Sequence, residues 1–170
     1  SGRLWVGTEG GGIYLYNRQN DRFEEKNQEY NIPGDMVGSI EEDKNGNLWM
    51  TSSEVNHAVL VLDKAGAWHR LDIEQLRGVY TINDILITST NDKWIYVPRN
   101  TPKLVMIPNS ESLDEVSSYE FTTLIDTDGK ELTPSNYTCV AEDKDGYIWV
   151  GTNRGAVYFT KPRISSAEDK

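Results

Sequence analysis

The sequence predicts an all-β chain folded as a partial β-propeller of four-stranded antiparallel blades, two complete and two partial. Three observations carry that expectation. Trp5, Trp49, Trp94 and Trp149 stand 44, 45 and 55 residues apart at one position of a repeating pattern, and such a period belongs to four-stranded blades rather than to helical repeats. Short apolar runs are separated by glycine and asparagine turn signals along the whole chain. No stretch sustains an apolar stripe at the 3.6-residue helical period, so helices should be few.

The repeat is sharpest where Asp43-Lys-Asn-Gly46-Asn-Leu-Trp49 matches Asp143-Lys-Asp-Gly146-Tyr-Ile-Trp149 position for position. An inner strand opens the later units, over Met36–Ile40, Tyr80–Ile87 and Tyr137–Val140. A tight turn follows, in which Gly46 and Gly146 supply the positive φ that a hairpin of native twist requires. The degenerate third unit has Asn91 there, the non-glycine residue that best tolerates left-handed geometry. The second strand carries the tryptophan: Leu4–Val6, Leu48–Met50, Trp94–Val97 and Ile148–Val150. The third is apolar, over Ile13–Tyr16, Val59–Leu62, Leu104–Ile107 and Ala156–Phe159. A more polar outer strand lies around Phe23, Trp68–Leu71 and Tyr119–Phe121. The first unit lacks its inner strand and the last its outer one. Because Trp5, Trp49, Trp94 and Trp149 recur once per blade on a strand, they are expected to pack between blades, and Trp68, equivalent to Phe23, to pack as well. Residues 1–163 are read as the propeller segment and 164–170 as a flexible tail or the start of a linker.

Composition narrows the function classes. The 170 residues suit one domain and read as a piece of something larger. Seventeen Lys+Arg against 27 Asp+Glu give a net charge of −10, and no basic cluster exists to hold a phosphate backbone or an anionic membrane, so nucleic acid is not an expected partner. No run of 18 apolar residues is present, so this segment is not expected to insert in a membrane. The single Cys139 excludes a disulfide within the chain and any multi-cysteine zinc site. It sits between Thr138 and Val140 on an inner strand, where a small buried residue is expected. A short stack of blades leaves apolar faces and strand edges in water. The expected partners are therefore the remaining blades of a longer chain or a second copy of this one.

These residues resemble the two-component-regulator propeller repeat of the periplasmic sensors in hybrid two-component systems of Bacteroidetes. Its pattern, D-x-x-G-x-[LI]-W-[VI]-G-T-x-x-G-[LV]-x-x-[YF], is matched from Asp143 through Phe159 with Gly151, Thr152 and Gly155 in place. The segment Gly2–Asn17 matches with Gly7, Thr8 and Tyr16, whereas Met50-Thr51 and Ile95-Tyr96 depart from the pattern. The run Phe121–Pro134, with Phe159-Thr-Lys-Pro162 after the last blade, is also similar to the last propeller of a type IX secretion surface component. Either resemblance implies a bacterial, periplasmic or cell-surface location. The first implies sensing upstream of two-component signalling; the second implies a scaffold.

The residues offer little chemistry. Asp43–Asn47 and Asp126–Glu131 carry alternating oxygen side chains, but neither has the ligand spacing of an EF-hand loop, so both read as hairpin turns. His57 and His69 lack a metal-ligand spacing, and no serine or cysteine stands in a recognisable pattern with a histidine and a carboxylate. No catalytic residue, metal or cofactor is expected, which places a propeller lyase last among the alternatives. Loop surface remains. The loops joining second to third strand, and outer to next inner strand, share one propeller face and commonly carry binding. They span Glu9–Gly12, Asn27–Asp35, Ser52–His57, Glu74–Val79, Arg99–Lys103 and Asp126–Asn136. Tyr30, His57, Arg77, Arg99 and Lys103 on those loops are the candidate ligand-binding residues, a set suited to a carbohydrate.

Overall fold

The computed structural model describes residues 2–27, 37–52, 57–79, 82, 84–98, 101–125 and 130–159. Its strands form antiparallel blades that follow one another along the chain. Blade 1 holds β1 (Trp5–Thr8), β2 (Gly12–Asn17) and β3 (Arg22–Glu25). Blade 2 holds β4 (Val37–Glu42), β5 (Leu48–Ser52), β6 (Val59–Leu62) and β7 (Trp68–Leu71). Blade 3 holds β8 (Asp84–Ile87), β9 (Lys93–Val97), β10 (Lys103–Ile107) and β11 (Tyr119–Glu120). A two-stranded hairpin, β12 (Leu124–Ile125) and β13 (Glu131–Leu132), leads into blade 4, made of β14 (Tyr137–Glu142), β15 (Ile148–Thr152) and β16 (Gly155–Phe159). Contacts run from β1 to β4, from β4 to β8 and from β9 to β14, so successive blades pack on one another.

Strand alternation decides which residues join blades. In β5, Trp49 and Thr51 face blade 3 while Leu48 and Met50 face blade 1, because successive side chains leave opposite sides of a sheet. One core cluster accordingly combines Trp49, Val59 and Val61 of blade 2 with Ile85, Ile95, Val97 and Val105 of blade 3. The next combines Trp94, Tyr96, Leu104 and Met106 of blade 3 with Ile148 and Val150 of blade 4. Ile13 of blade 1 and Met50 and Leu60 of blade 2 form the third, with Trp5, Leu48 and Trp68 packed against it. Each repeat tryptophan thus points at the following blade. Trp49 and Trp94 are 2% and 0% exposed there, whereas Trp149, at the same position of blade 4, is 40% exposed.

The turns follow the expected chemistry. Gly46, Gly146 and Asn91 have φ of +83°, +81° and +69°. In blade 2 the Asp43 carboxylate accepts the Asn45 and Asn47 amides, each at 2.9 Å, and the Trp49 indole Nε1–H at 2.9 Å. Asp143 repeats the arrangement with Asp145, Tyr147 and Trp149 at 2.9, 3.0 and 2.7 Å. The repeat aspartate therefore ties its hairpin to its own tryptophan. The departure at Thr51 is also explained. A bulge separates Val37 from Ile40 in β4, and the Thr51 hydroxyl accepts the Ser39 amide beside it at 2.9 Å. In blade 4 the equivalent Gly151 leaves no such room: a Cβ there would lie 2.6 Å from Cys139 Sγ.

Three expectations are corrected. Cys139 is exposed rather than buried, because it pairs with Gly151 on the same side of blade 4 as Trp149, the side that no described residue covers. The expected loop Asp126–Asn136 is not loop throughout: it holds β13, which pairs with β12, and Leu124, 2% exposed, packs this hairpin into the core between blades 3 and 4. The Glu74–Val79 connection contains a 3-10 turn over Glu74–Leu76, anchored by buried Leu76.

Candidate functional site

Of the five loop residues singled out from the sequence, Tyr30 and Arg99 lie outside the described residues. The structure brings the other three to the same flank of blades 2 and 3. Arg77 follows the 3-10 turn and holds Asp72 through two parallel hydrogen bonds, Nε at 2.8 Å and Nη2 at 2.5 Å. That clamp keeps the Asp72 carboxyl below its ordinary range, with His57 adding a smaller pull in the same direction. Lys103, at the start of β10, donates to the Gln75 carbonyl at 2.6 Å and lies 3.5 Å from the Glu120 carboxylate. Both cations therefore secure the connection between blade 2 and blade 3. Beside them is a shallow groove of about 460 Å³ with Arg77, Gln75, Ser118 and Tyr119 in its wall. Arg77, with half its side chain exposed, remains presentable to a ligand.

A larger concavity lies at the other end of the strands, among the hairpin turns. Its volume is about 720 Å³, and Asn45, Asp63, Lys64, His69, Glu111 and Asp114 are in its wall. It exists because residues 108–118, linking β10 to β11, are longer than the corresponding 18–21 and 63–67. This connection folds back over blade 2, fixed by Leu113 and Val116 against the core and by Asn109, whose side chain accepts from Asn91 at 2.8 Å. His69, on β7, is central. Its Nε2 lies 3.0 Å from Asp63 Oδ2, and its Nδ1 lies 3.9 Å from Asp114 Oδ1. The contact with His69, aided by the Ala67 amide, holds the Asp63 carboxyl below its ordinary range. Sequence reasoning set His69 aside for want of a metal spacing; the usable signal was the unusual length of the 108–118 connection. The wall offers amide, ammonium, imidazole and carboxylate groups at once, which suits hydrogen bonding to a polar ligand. Among the described residues, no group of three or more His, Cys, Asp or Glu side chains is placed to hold a metal ion.

A third concavity, of about 450 Å³, lies between the turns of blades 3 and 4. Thr88 stands there in the position of Asp43 and Asp143. Its hydroxyl still accepts the Asp92 amide at 3.0 Å, but the buried Trp94 Nε1–H has no acceptor among the described residues. In the interface one step earlier, Lys93 extends its ammonium to 3.5 Å from Asp43 and 4.5 Å from the Trp49 ring centroid. Among the described residues, no helix is long and apolar enough to cross a membrane.

Comparison with known proteins agrees with this architecture. The two component regulator propeller model matches residues 31–54 and 131–154. No curated protein matches the chain. Among solved structures, PorZ, a surface component of the type IX secretion system of Porphyromonas gingivalis, aligns with a TM-score of 0.77 at 19% identity, over 92% of this chain and 23% of its own. The extracellular domain of the hybrid two component system BT4673 of B. thetaiotaomicron aligns with a TM-score of 0.67 at 17% identity, over 95% of this chain and 21% of its own. The chain thus spans less than a quarter of the length of either structure. In repeat and in fold, it is similar to the two component regulator propellers.

Proposed function

We propose that the chain is a non-catalytic, extracytoplasmic propeller segment of a larger receptor that binds a glycan-type ligand ahead of two-component signalling. The observation that carries this reading is where the residues are spent. The repeat positions build turns and inter-blade core, while the polar side chains gather in concavities, with no metal cluster among the described residues. The hydrogen-bonding wall around His69 and the Arg77 flank are the two surfaces such a ligand would use. Calorimetric titration of the chain with oligosaccharides tests it. Saturable binding that is lost on His69→Ala or Arg77→Ala supports the reading, and no binding to any of them counts against it.

A second reading, a scaffold of the secretion surface machinery, is favoured by the run Phe121–Pro134, whose hairpin seals blades 3 and 4 with Leu124 and Phe121. The sequence following this segment in the parent gene separates the two. A membrane span and kinase domain support the sensor, and a short β-sandwich supports the scaffold.

A further inference from the structure

The concavity between blades 3 and 4 has an internal counterpart. The position filled by Lys93 in blade 3 is filled by Ile148 in blade 4, and Trp94 takes the place of Trp49. Between blades 2 and 3 the lysine ammonium is 1% exposed, set against Asp43 and over the Trp49 indole. Between blades 3 and 4 the shorter Ile148 cannot reach so far, and the 450 Å³ notch opens at that place. Its wall carries three carboxylates, Asp92, Glu142 and Asp145, and among the described residues no lysine, arginine or histidine. Glu142 is turned to the Ser89 amide at 2.6 Å and to the Ser89 hydroxyl. Asp92 accepts the Thr90 hydroxyl at 2.6 Å and the Asn109 amide at 2.8 Å. These donors solvate the carboxylates; Asp92 also feels the Lys93 charge, whereas among the described residues no cation pairs with Glu142 or Asp145.

An independent observation points the same way. Trp94 is 0% exposed, and its Nε1–H has no hydrogen-bond partner among the described residues. In blades 2 and 4 the equivalent N–H points at the first turn residue, here Thr88, which lines the notch with it. A buried donor without an acceptor is costly, and a ligand oxygen reaching it would remove that cost.

We propose that this notch binds the primary ammonium group of a hydroxylated amine, such as an amino sugar, in the role Lys93 plays one interface earlier. The ammonium faces the carboxylates of Glu142 and Asp145, and a hydroxyl oxygen of the same ligand accepts from Trp94 Nε1. Desolvation in a half-enclosed notch strengthens both contacts relative to water. The notch lies apart from the His69 and Arg77 surfaces, so this inference stands or falls separately from the glycan reading.

The test is nuclear magnetic resonance titration of the chain, following the Trp94 indole N–H, with glucosamine as the probe and N-acetylglucosamine and glucose as uncharged controls. Glucosamine should shift the Trp94 resonance saturably and the controls should not. Asp145→Asn, at an exposed turn position, should weaken binding about fivefold, the order expected for one partly screened charge. Ile148→Lys, which rebuilds the neighbouring interface, should abolish binding while keeping a folded spectrum. No shift with glucosamine, an equal shift with N-acetylglucosamine, or unchanged binding in Asp145→Asn would each overturn the proposal. If Ile148→Lys does not fold, the Asp145→Asn and control titrations decide alone.

Discussion

The Lys93 ammonium and the Asp43 carboxylate form an ion pair at 3.5 Å, with both side chains 1% exposed, across the interface of blades 2 and 3. The two ends are not equally supported. Besides Lys93, Asp43 is held by the Asn45, Asn47 and Trp49 N–H groups. Lys93 has Asp43, the Trp49 ring and the weaker pull of the Asp92 charge. Burial pulls the Lys93 ammonium below its ordinary range despite Asp43, whereas at Asp43 the hydrogen bonds outweigh burial and hold the carboxyl low. Asp43→Asn, which strands a buried cation, should therefore cost about 3–5 kcal/mol, as other broken buried pairs do. Lys93→Leu leaves Asp43 buried but still held by its N–H donors, and should cost less, about 1–2 kcal/mol. Urea denaturation of the two variants checks the asymmetry, and equal losses would contradict it.

Asp43 also sets a pH dependence. Its folded pKa lies below the ordinary aspartate value of 3.8. The stability it contributes is thus fully present above that value and is lost as pH falls through the lower folded pKa. Glu41 has the opposite sign: burial first, then the nearby Asp84 charge, raise its carboxyl above the ordinary 4.5. The stability linked to Glu41 is present below that ordinary value and is lost as pH rises through the higher folded pKa. Glu41→Gln should therefore raise the melting temperature at pH 7 and leave it unchanged at pH 3. A lower melting temperature at pH 7 would show that Glu41 makes a favourable contact instead.

Much of this architecture was legible in the sequence, because blade building is local. The Asp-x-x-Gly-x-x-Trp spacing fixes a turn, a cap and an inter-blade side chain within seven residues, and Asn91 was recognisable as a glycine substitute from its αL tolerance. The departures from the repeat were less readable. Lys93 looks like an ordinary charged residue at the edge of a strand until Asp43, fifty residues away, is brought against it. The exposure of Cys139 and Trp149 depends on which blade covers them, which no local pattern encodes. The His69 concavity arises from a connection that packs on a different blade, a purely tertiary event.

The unpaired Trp94 N–H offers a direct test of the aspartate's role in the repeat. Thr88→Asn supplies an amide oxygen where Asp43 and Asp143 place a carboxylate, without adding charge near Glu142 and Asp92. Satisfying a buried donor should raise stability by about 1 kcal/mol. The same change should move the Trp94 indole proton downfield as its hydrogen bond forms. Loss of stability without that movement would mean that the Thr88 hydroxyl bonds to Asp92 and Thr90 matter more than the indole.

The exposed ends of the stack carry the remaining prediction. On the outward side of blade 1, Leu4 and Phe23 are 51% and 52% exposed; on that of blade 4, Trp149 and Tyr158 are 40% and 43% exposed, stacked with ring centroids 5.0 Å apart. Leu4 occupies the repeat position of Ile148, which is 2% exposed where it packs beneath the Trp94 blade. Trp149 occupies the position of Trp49 and Trp94. The two faces are therefore the two halves of an inter-blade interface, and a second copy of the chain can bring its Leu4 side onto Trp149. Head-to-tail association through the hydrophobic effect should appear in sedimentation velocity as concentration-dependent growth at micromolar protein. The net charge of −10 opposes it only weakly at physiological salt, where screening acts over about 8 Å. Trp149→Ser and Leu4→Asp should each abolish the association while leaving the secondary structure intact, because neither side chain belongs to the buried core. A monomer at all concentrations, or association unchanged in both variants, would show that these faces do not meet in this way.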